Sequence, residues 1–187
     1  LNKIESETQV TRIIQSDDWM MSVLRAAEDL NLPDWWIGAG FLRNKVWDYI
    51  EGGERHHSRD IDLVYFDKVN TSSAVDYEYD TLMNKRHFLG EWEIRNQARM
   101  HKVGGFEPFS STADGIAHWP ETATAIAVKL EKGKLTYLFC YGTEDLFGLI
   151  VGPTEHFDNP EGIQIFRSRV EKKHWADNWE HLKIING

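Results

Sequence analysis

A chain of 187 residues, 41% of them hydrophobic, buries about 70% of its unfolded surface and needs no metal or disulfide staple to fold. Its one cysteine, Cys140, excludes an internal disulfide and any Cys-based zinc pattern, which points to a reducing, cytoplasmic setting. No apolar run approaches the roughly 20 residues that span a bilayer, Leu1-Asn2-Lys3-Ile4-Glu5 has no signal-peptide core, and the net charge of −9 argues against nucleic acid as a partner.

Along the chain, Met20, Val23, Leu24, Ala27 and Leu30 recur at helical spacing behind the cap candidates Ser16 and Asp17, and Asn31 and Pro33 stop that helix. A short apolar strand over 35–37 runs into Gly38-Ala39-Gly40. Leu42, Val46, Tyr49 and Ile50 then share one helical face, closed by Gly52-Gly53. A polar loop at 54–59 leads to a strand over 61–66. A helix follows over 76–88 and a strand over 91–98. Residues 85–102 form the most basic stretch, with five Lys/Arg against two glutamates. Ser111 or Thr112 caps a short helix ending near Trp119-Pro120. Residues 122–130 are compatible with either helix or strand. The alternation of Leu135, Tyr137, Phe139 and Tyr141 reads as a strand. Thr143 caps an acidic helix start at Glu144 and Asp145, and a charged helix covers 167–175. Interleaved strands and helices make the class α/β or α+β.

Chemistry concentrates at Gly38-Ala39-Gly40-Phe41-Leu42-Arg43-Asn44 and Asp60-Ile61-Asp62-Leu63-Val64-Tyr65-Phe66. Residues two apart on a strand point to one face, so Asp60 and Asp62 present paired carboxylates. Two adjacent like charges are unfavourable unless a cation neutralises them, and Mg²⁺ is usually held by one or two carboxylates plus phosphates. Glycines between strand and helix let the backbone approach a phosphate at the helix N-terminus. Arg43 and Asn44 stand on the first turn of that helix, within reach of phosphate oxygens. Each piece also has a plain structural reading: Asp60 and Asp62 as turn or solvated residues, Gly38 and Gly40 as a tight turn, Arg43 as a salt-bridge partner. The order strand, glycine turn, helix, loop, Asp-x-Asp strand is what joins them into one site.

Three further segments extend the pattern: Asn96-Gln97-Ala98-Arg99-Met100-His101, Trp119-Pro120-Glu121-Thr122-Ala123 and Tyr141-Gly142-Thr143-Glu144-Asp145-Leu146-Phe147. Together with the two above, these resemble a family of small bacterial nucleotidyltransferase-like proteins within the polymerase-β nucleotidyltransferase superfamily. The resemblance implies an α+β fold with a mixed β-sheet flanked by helices. It implies a single domain over 1–187, with a core at about 17–105 and the portion 106–187 packed on it. It also implies dependence on Mg²⁺ or Mn²⁺ and transfer of a nucleoside monophosphate from a nucleoside triphosphate to an unknown small-molecule or protein acceptor. Asp60 and Asp62 would hold the metal, while Gly38, Gly40, Arg43 and Asn44 would cradle the phosphates.

The chain departs from the superfamily pattern at the turn, where Ala39 and Phe41 stand in place of a serine after glycine. A third carboxylate on a neighbouring strand usually completes such a site, and Glu93 is the candidate as metal ligand or base. Glu93 alternates with Glu91, Arg95 and Gln97, so a solvated role or a pair with Arg95 is the alternative. His56-His57 sits in a polar loop without metal-ligand spacing, His101 divides evenly between substrate-facing and structural roles, and Ser110-Ser111 lacks a nucleophile-elbow context. The rival functions are a non-catalytic nucleotide-binding module and a toxin–antitoxin-type interaction protein on the same fold.

Overall fold

Two amphipathic helices open the chain in the computed structural model, which describes residues 1–53 and 60–185. The loop at 54–59, with His56 and His57, lies outside the described residues. In α1, Glu7–Gln15, the residues Val10, Ile13 and Ile14 are buried, and the Ser6 side chain caps the helix. In α2, Asp18–Asp29, the cap is Asp17, whose Oδ1 accepts from the Met20 N–H at 3.1 Å. The buried face of α2 holds Met20, Val23, Leu24, Ala26 and Ala27, which include four of the five positions that helical spacing marks out; the fifth, Leu30, is the C-cap and only partly buried.

A five-stranded mixed sheet carries the rest of the fold, in the order β3-β2-β1-β4-β5. Its strands are β1, Trp36–Gly38; β2, Asp60–Tyr65; β3, Glu91–Asn96; β4, Ile126–Glu131; and β5, Lys134–Phe139. Strands β2 and β3 pair in parallel, joined through the crossover helix α4, Ser73–Arg86; the other pairs are antiparallel. A parallel pair needs a long connection and an antiparallel one does not, so this mixture belongs to the α+β class. Residues 126–131 resolve the helix-or-strand ambiguity: buried on both faces between β1 and β5, Ile126, Ala127, Val128 and Leu130 form a sheet strand.

Helix α3, Gly40–Glu51, starts from the glycine turn and ends at Gly52 in the left-handed conformation. Strand β3 stops two residues before the predicted end. The Asn96 side chain accepts from the Ala98 N–H at 3.0 Å and starts α5, Gln97–Gly104, which ends at left-handed Gly105. Ser111 caps α6, Thr112–Ala117. Thr143 precedes α7, Glu144–Phe147, without a side-chain capping bond; instead its own N–H donates to Glu144 Oε2 at 2.9 Å. The charged C-terminal helix α8, Pro160–Lys173, begins earlier than its charge pattern suggests, because Asn159 caps it and Pro160 occupies the first turn. It is followed by α9, Trp175–Asn178, and by β7, Lys183–Ile184, which pairs in parallel with β6, Ile150–Val151, from before α8.

The main hydrophobic cluster contains buried residues from Ile4 through Trp179. Trp47 is fully buried and its indole N–H donates to the Leu146 carbonyl at 3.0 Å. Trp179 packs edge-on against Trp47 and donates to Asp48 Oδ1 at 2.9 Å. Truncating such an indole costs about 3–5 kcal/mol. A smaller cluster of Trp36, Val64, Ile116, Ala125 and Ala127 holds further sheet residues. Among the described residues no helix is long and apolar enough to cross a membrane.

Candidate active site

Period-two alternation divides β2 sharply. Ile61, Leu63 and Tyr65 are buried, whereas Asp60 and Asp62 border a cavity of about 410 Å³. Parallel pairing sets Glu91 beside Asp60 and Glu93 beside Asp62, so the side chain of Glu93 joins the two aspartates on one sheet face, and it too borders the cavity. The exposed Glu93 and half-buried Asp62 differ in their access to water. Burial first, and then the charges of Glu93 and Asp60, together push the Asp62 carboxyl up to about 6 against the opposing pull of Lys173 and Arg43.

The turn before α3 faces the same cavity through Ala39 and Gly40. Ala39 has φ +53° and ψ −125°, a region that disfavours a side chain with a Cβ; such strain clusters at functional sites. Its N–H is tied to the Ile126 carbonyl at 3.0 Å. Gly38 does not border the cavity. A Cβ there would lie 2.5 Å from Trp119 Cη2, so its bare face accommodates the indole.

Arg43 does border the cavity, and it is buried. Its guanidinium donates to Thr124 Oγ1 at 2.8 Å and to Asn44 Oδ1 at 3.0 Å. It lies 4.8 Å from the Trp175 ring centroid and 5.2 Å from that of Trp47. Burial lowers its pKa to about 10 while Glu121 and Asp62 work against that fall, so it remains a cation at neutral pH. Asn44 stands behind Arg43 as its acceptor and not on the cavity wall.

Two more cations, Arg169 and Lys173, face the cavity from α8. They are four residues apart and therefore share a helix face, a signal present in the sequence but indistinguishable there from a solvated charged helix. Arg169 Nε donates to Glu121 Oε1 at 2.5 Å and its Nη2 to Oε2 at 3.3 Å. Glu121 is fully buried. In the basic stretch at 85–102, Arg95 pairs with Asp80 at 2.7 Å and Arg99 pairs with buried Asp76. Arg95 still reaches the cavity wall beside Glu93. His101 is not on that wall, and its Nδ1 has no partner among the described residues. Ser111 is a helix cap, and Ser110 bonds Asp114.

Among the described residues, no group of three or more His, Cys, Asp or Glu is gathered closely enough to hold an ion. The expected three-carboxylate shell of Asp60, Asp62 and Glu93 is thus not assembled by the protein alone, as mutual repulsion of like charges requires. The donors still suit a hard cation: all are carboxylates on one face, and Mg²⁺ normally takes one or two of them, with phosphates and water filling the remaining positions.

A model of a family described as nucleotidyltransferase matches residues 25–184. A solved structure described as revealing a CCA-adding enzyme head domain is 27% identical, with a TM-score of 0.89, and the match covers 100% of this chain and 99% of that one. A CCA-adding enzyme complexed with CTP is similar at 14% identity and a TM-score of 0.59, covering 94% of this chain and 43% of that one. A complex of a tRNA-processing enzyme is similar at 18% identity and a TM-score of 0.51, covering 87% and 43%. The chain spans less than half the length of these last two, and the likeness to them is one of fold. No match is found among curated proteins. The argument from acidic composition against nucleic acid is overturned, because chains sharing this fold include one described as processing tRNA; net charge averages over the surface and does not describe one cleft. With the family model covering most of its length, this chain belongs to that nucleotidyltransferase family, in the polymerase-β nucleotidyltransferase superfamily.

Proposed function

We propose that the protein transfers a nucleoside monophosphate from a nucleoside triphosphate to an acceptor hydroxyl and releases pyrophosphate. The observation that carries this reading is the gathering, around one cavity, of Asp60, Asp62 and Glu93 with Arg43, Arg169 and Lys173. The carboxylates suit a hard cation, and the cations suit a phosphate chain. Asp60 and Asp62 would hold Mg²⁺ or Mn²⁺, with Glu93 beside them. A divalent ion so held neutralises phosphate charge and orients the attacking and leaving oxygens.

The protein's own groups supply the rest. Arg43, Lys173 and the Gly40 backbone N–H bind the phosphates, and Asn44 and Thr124 fix the Arg43 guanidinium in place. Glu93, exposed to the solvent side, accepts the proton of the acceptor hydroxyl. The acceptor oxygen bonds to the α-phosphorus as the bond to the bridging oxygen breaks, and pyrophosphate leaves toward the cations. A tRNA 3′ hydroxyl belongs among the acceptors to be tried, since similar folds include CCA-adding and tRNA-processing enzymes.

The test follows α-labelled nucleotide onto tRNA lacking its terminal CCA and onto a pooled small-molecule and protein panel. Asp62→Asn is expected to abolish transfer. Glu93→Gln is expected to keep Mg²⁺–NTP binding within several-fold and slow transfer about 10²-fold or more. Undiminished transfer in Glu93→Gln removes it from the reaction, and nucleotide binding without transfer to any acceptor favours a non-catalytic binding module.

A further inference from the structure

The cavity has a second end of different chemistry. Helix α5 turns Met100 and Val103 toward it, and Val103 is 76% exposed. Beyond the helix, Phe106 folds back so closely that a Cβ on Gly104 would lie 2.3 Å from its ring. Phe106 meets His118 edge-on at a centroid distance of 4.8 Å and Phe157 at 6.1 Å. His118 also leans on Phe109 at 4.7 Å.

These rings are held rather than loose. The His118 Nδ1–H donates to the Asp114 carbonyl at 2.8 Å, since a carbonyl can only accept. On its other side His118 stacks on His156 at 3.8 Å. None of Met100, Val103, Phe106, Phe109 or Phe157 belongs to either hydrophobic core cluster. Phe109 is buried, whereas Phe106 and Phe157 are half-buried, and half-buried rings at a cavity wall offer a planar aromatic ligand a surface to stack on.

We propose that this aromatic end, centred on Phe106 with His118 held behind it, is the platform for the nucleobase of the donor nucleotide. The inference rests on the nucleotidyltransferase reading of the polar end. One cavity of about 410 Å³ carries both ends, a size that suits a single small ligand. A triphosphate anchored beside Arg43 and Lys173 extends its sugar and base along the cavity toward the rings. Stacking accepts any base, because every base has a π face, so the platform contributes affinity with little choice among bases.

The experiment compares binding of Mg²⁺–ATP, Mg²⁺–CTP and Mg²⁺–tripolyphosphate by calorimetry, which needs no turnover. Wild type is expected to bind both nucleotides at least ~10-fold more tightly than tripolyphosphate, and within several-fold of each other. Phe106→Ala should remove most of that advantage while leaving tripolyphosphate affinity unchanged, which also reports that the variant is folded. Phe106→Tyr should restore it, and Phe157→Ala should give a smaller loss. Equal affinity of wild type for nucleotide and tripolyphosphate overturns the platform but leaves the polar-end reading standing, as does nucleotide affinity unchanged in Phe106→Ala. Wild type that binds neither nucleotide nor tripolyphosphate overturns both.

Discussion

The two walls of the polar end handle charge in opposite ways. On the cationic wall Arg169 is compensated before any ligand arrives, gripping Glu121 with two donors, while Arg43 of α3 is held in place by Thr124, Asn44 and two indoles but meets no carboxylate there among the described residues. On the sheet side, Asp60, Asp62 and Glu93 share a face, and burial together with mutual repulsion drives the Asp62 carboxyl up to about 6. The Arg169–Glu121 pair is locked by its own contacts. The Asp62 carboxyl stands in a charge arrangement that stays unfavourable until a cation arrives, which is how a binding site differs from a structural ion pair.

Substitutions on the two walls should therefore change stability with opposite signs. The largest effect is expected at the locked pair. Arg169→Ala leaves the fully buried Glu121 carboxylate without its bidentate partner, and because Arg169 itself is partly exposed the cost is that of an unsatisfied buried charge reachable by some water, about 2–3 kcal/mol. Urea unfolding would read this as a lower midpoint at unchanged slope. A loss under 1 kcal/mol would place that pair with ordinary surface bridges and break the comparison.

Asp62→Asn should act the other way, stabilising the ligand-free protein by about 1–3 kcal/mol at pH 7.5. The sign follows from linkage. A carboxyl whose pKa rises from 3.8 to about 6 on folding holds its proton more tightly when folded. The folded state therefore loses stability as pH climbs from about 4 through about 6. Asparagine carries no such penalty, so the gain should vanish as pH is lowered toward 4. Melting curves of both proteins from pH 4 to 7.5 would check it, and a pH-independent difference would remove the electrostatic explanation.

The smallest effect belongs to Glu93. It faces solvent, so Glu93→Gln should change ligand-free stability by no more than about 0.5 kcal/mol, in the stabilising direction because it relieves Asp62. A clear destabilisation in denaturant melts would give Glu93 a structural bond that the exposed position does not suggest.

Local pattern carried much of this protein. Helical spacing gave the buried face of α2 and the start of α3, and alternation gave the common face of Asp60 and Asp62, because both depend only on neighbours along the chain. Asn96 and Gly105 also marked the limits of α5, but that cap signal was masked by the alternation of Glu91, Glu93 and Arg95 running into it. Gly38 and Gly40 look equivalent in sequence; only the position of Trp119, brought over the turn from α6, separates the packing glycine from the one at the cavity.

The sequence by itself determined the strand, turn and helix on which Asp60, Asp62 and Arg43 stand, and the family resemblance that supplied Glu93 as their companion. Only the tertiary structure decided that Glu93 lies in register with Asp62, that α8 brings Arg169 and Lys173 to the same cavity as the carboxylates, and that Phe106 folds back toward His118. Those contacts join residues from 12 to more than 100 positions apart. Neither helical nor strand periodicity reaches that far, since each is set by the rise and twist of a single element, whereas the meeting of elements depends on how their buried faces pack.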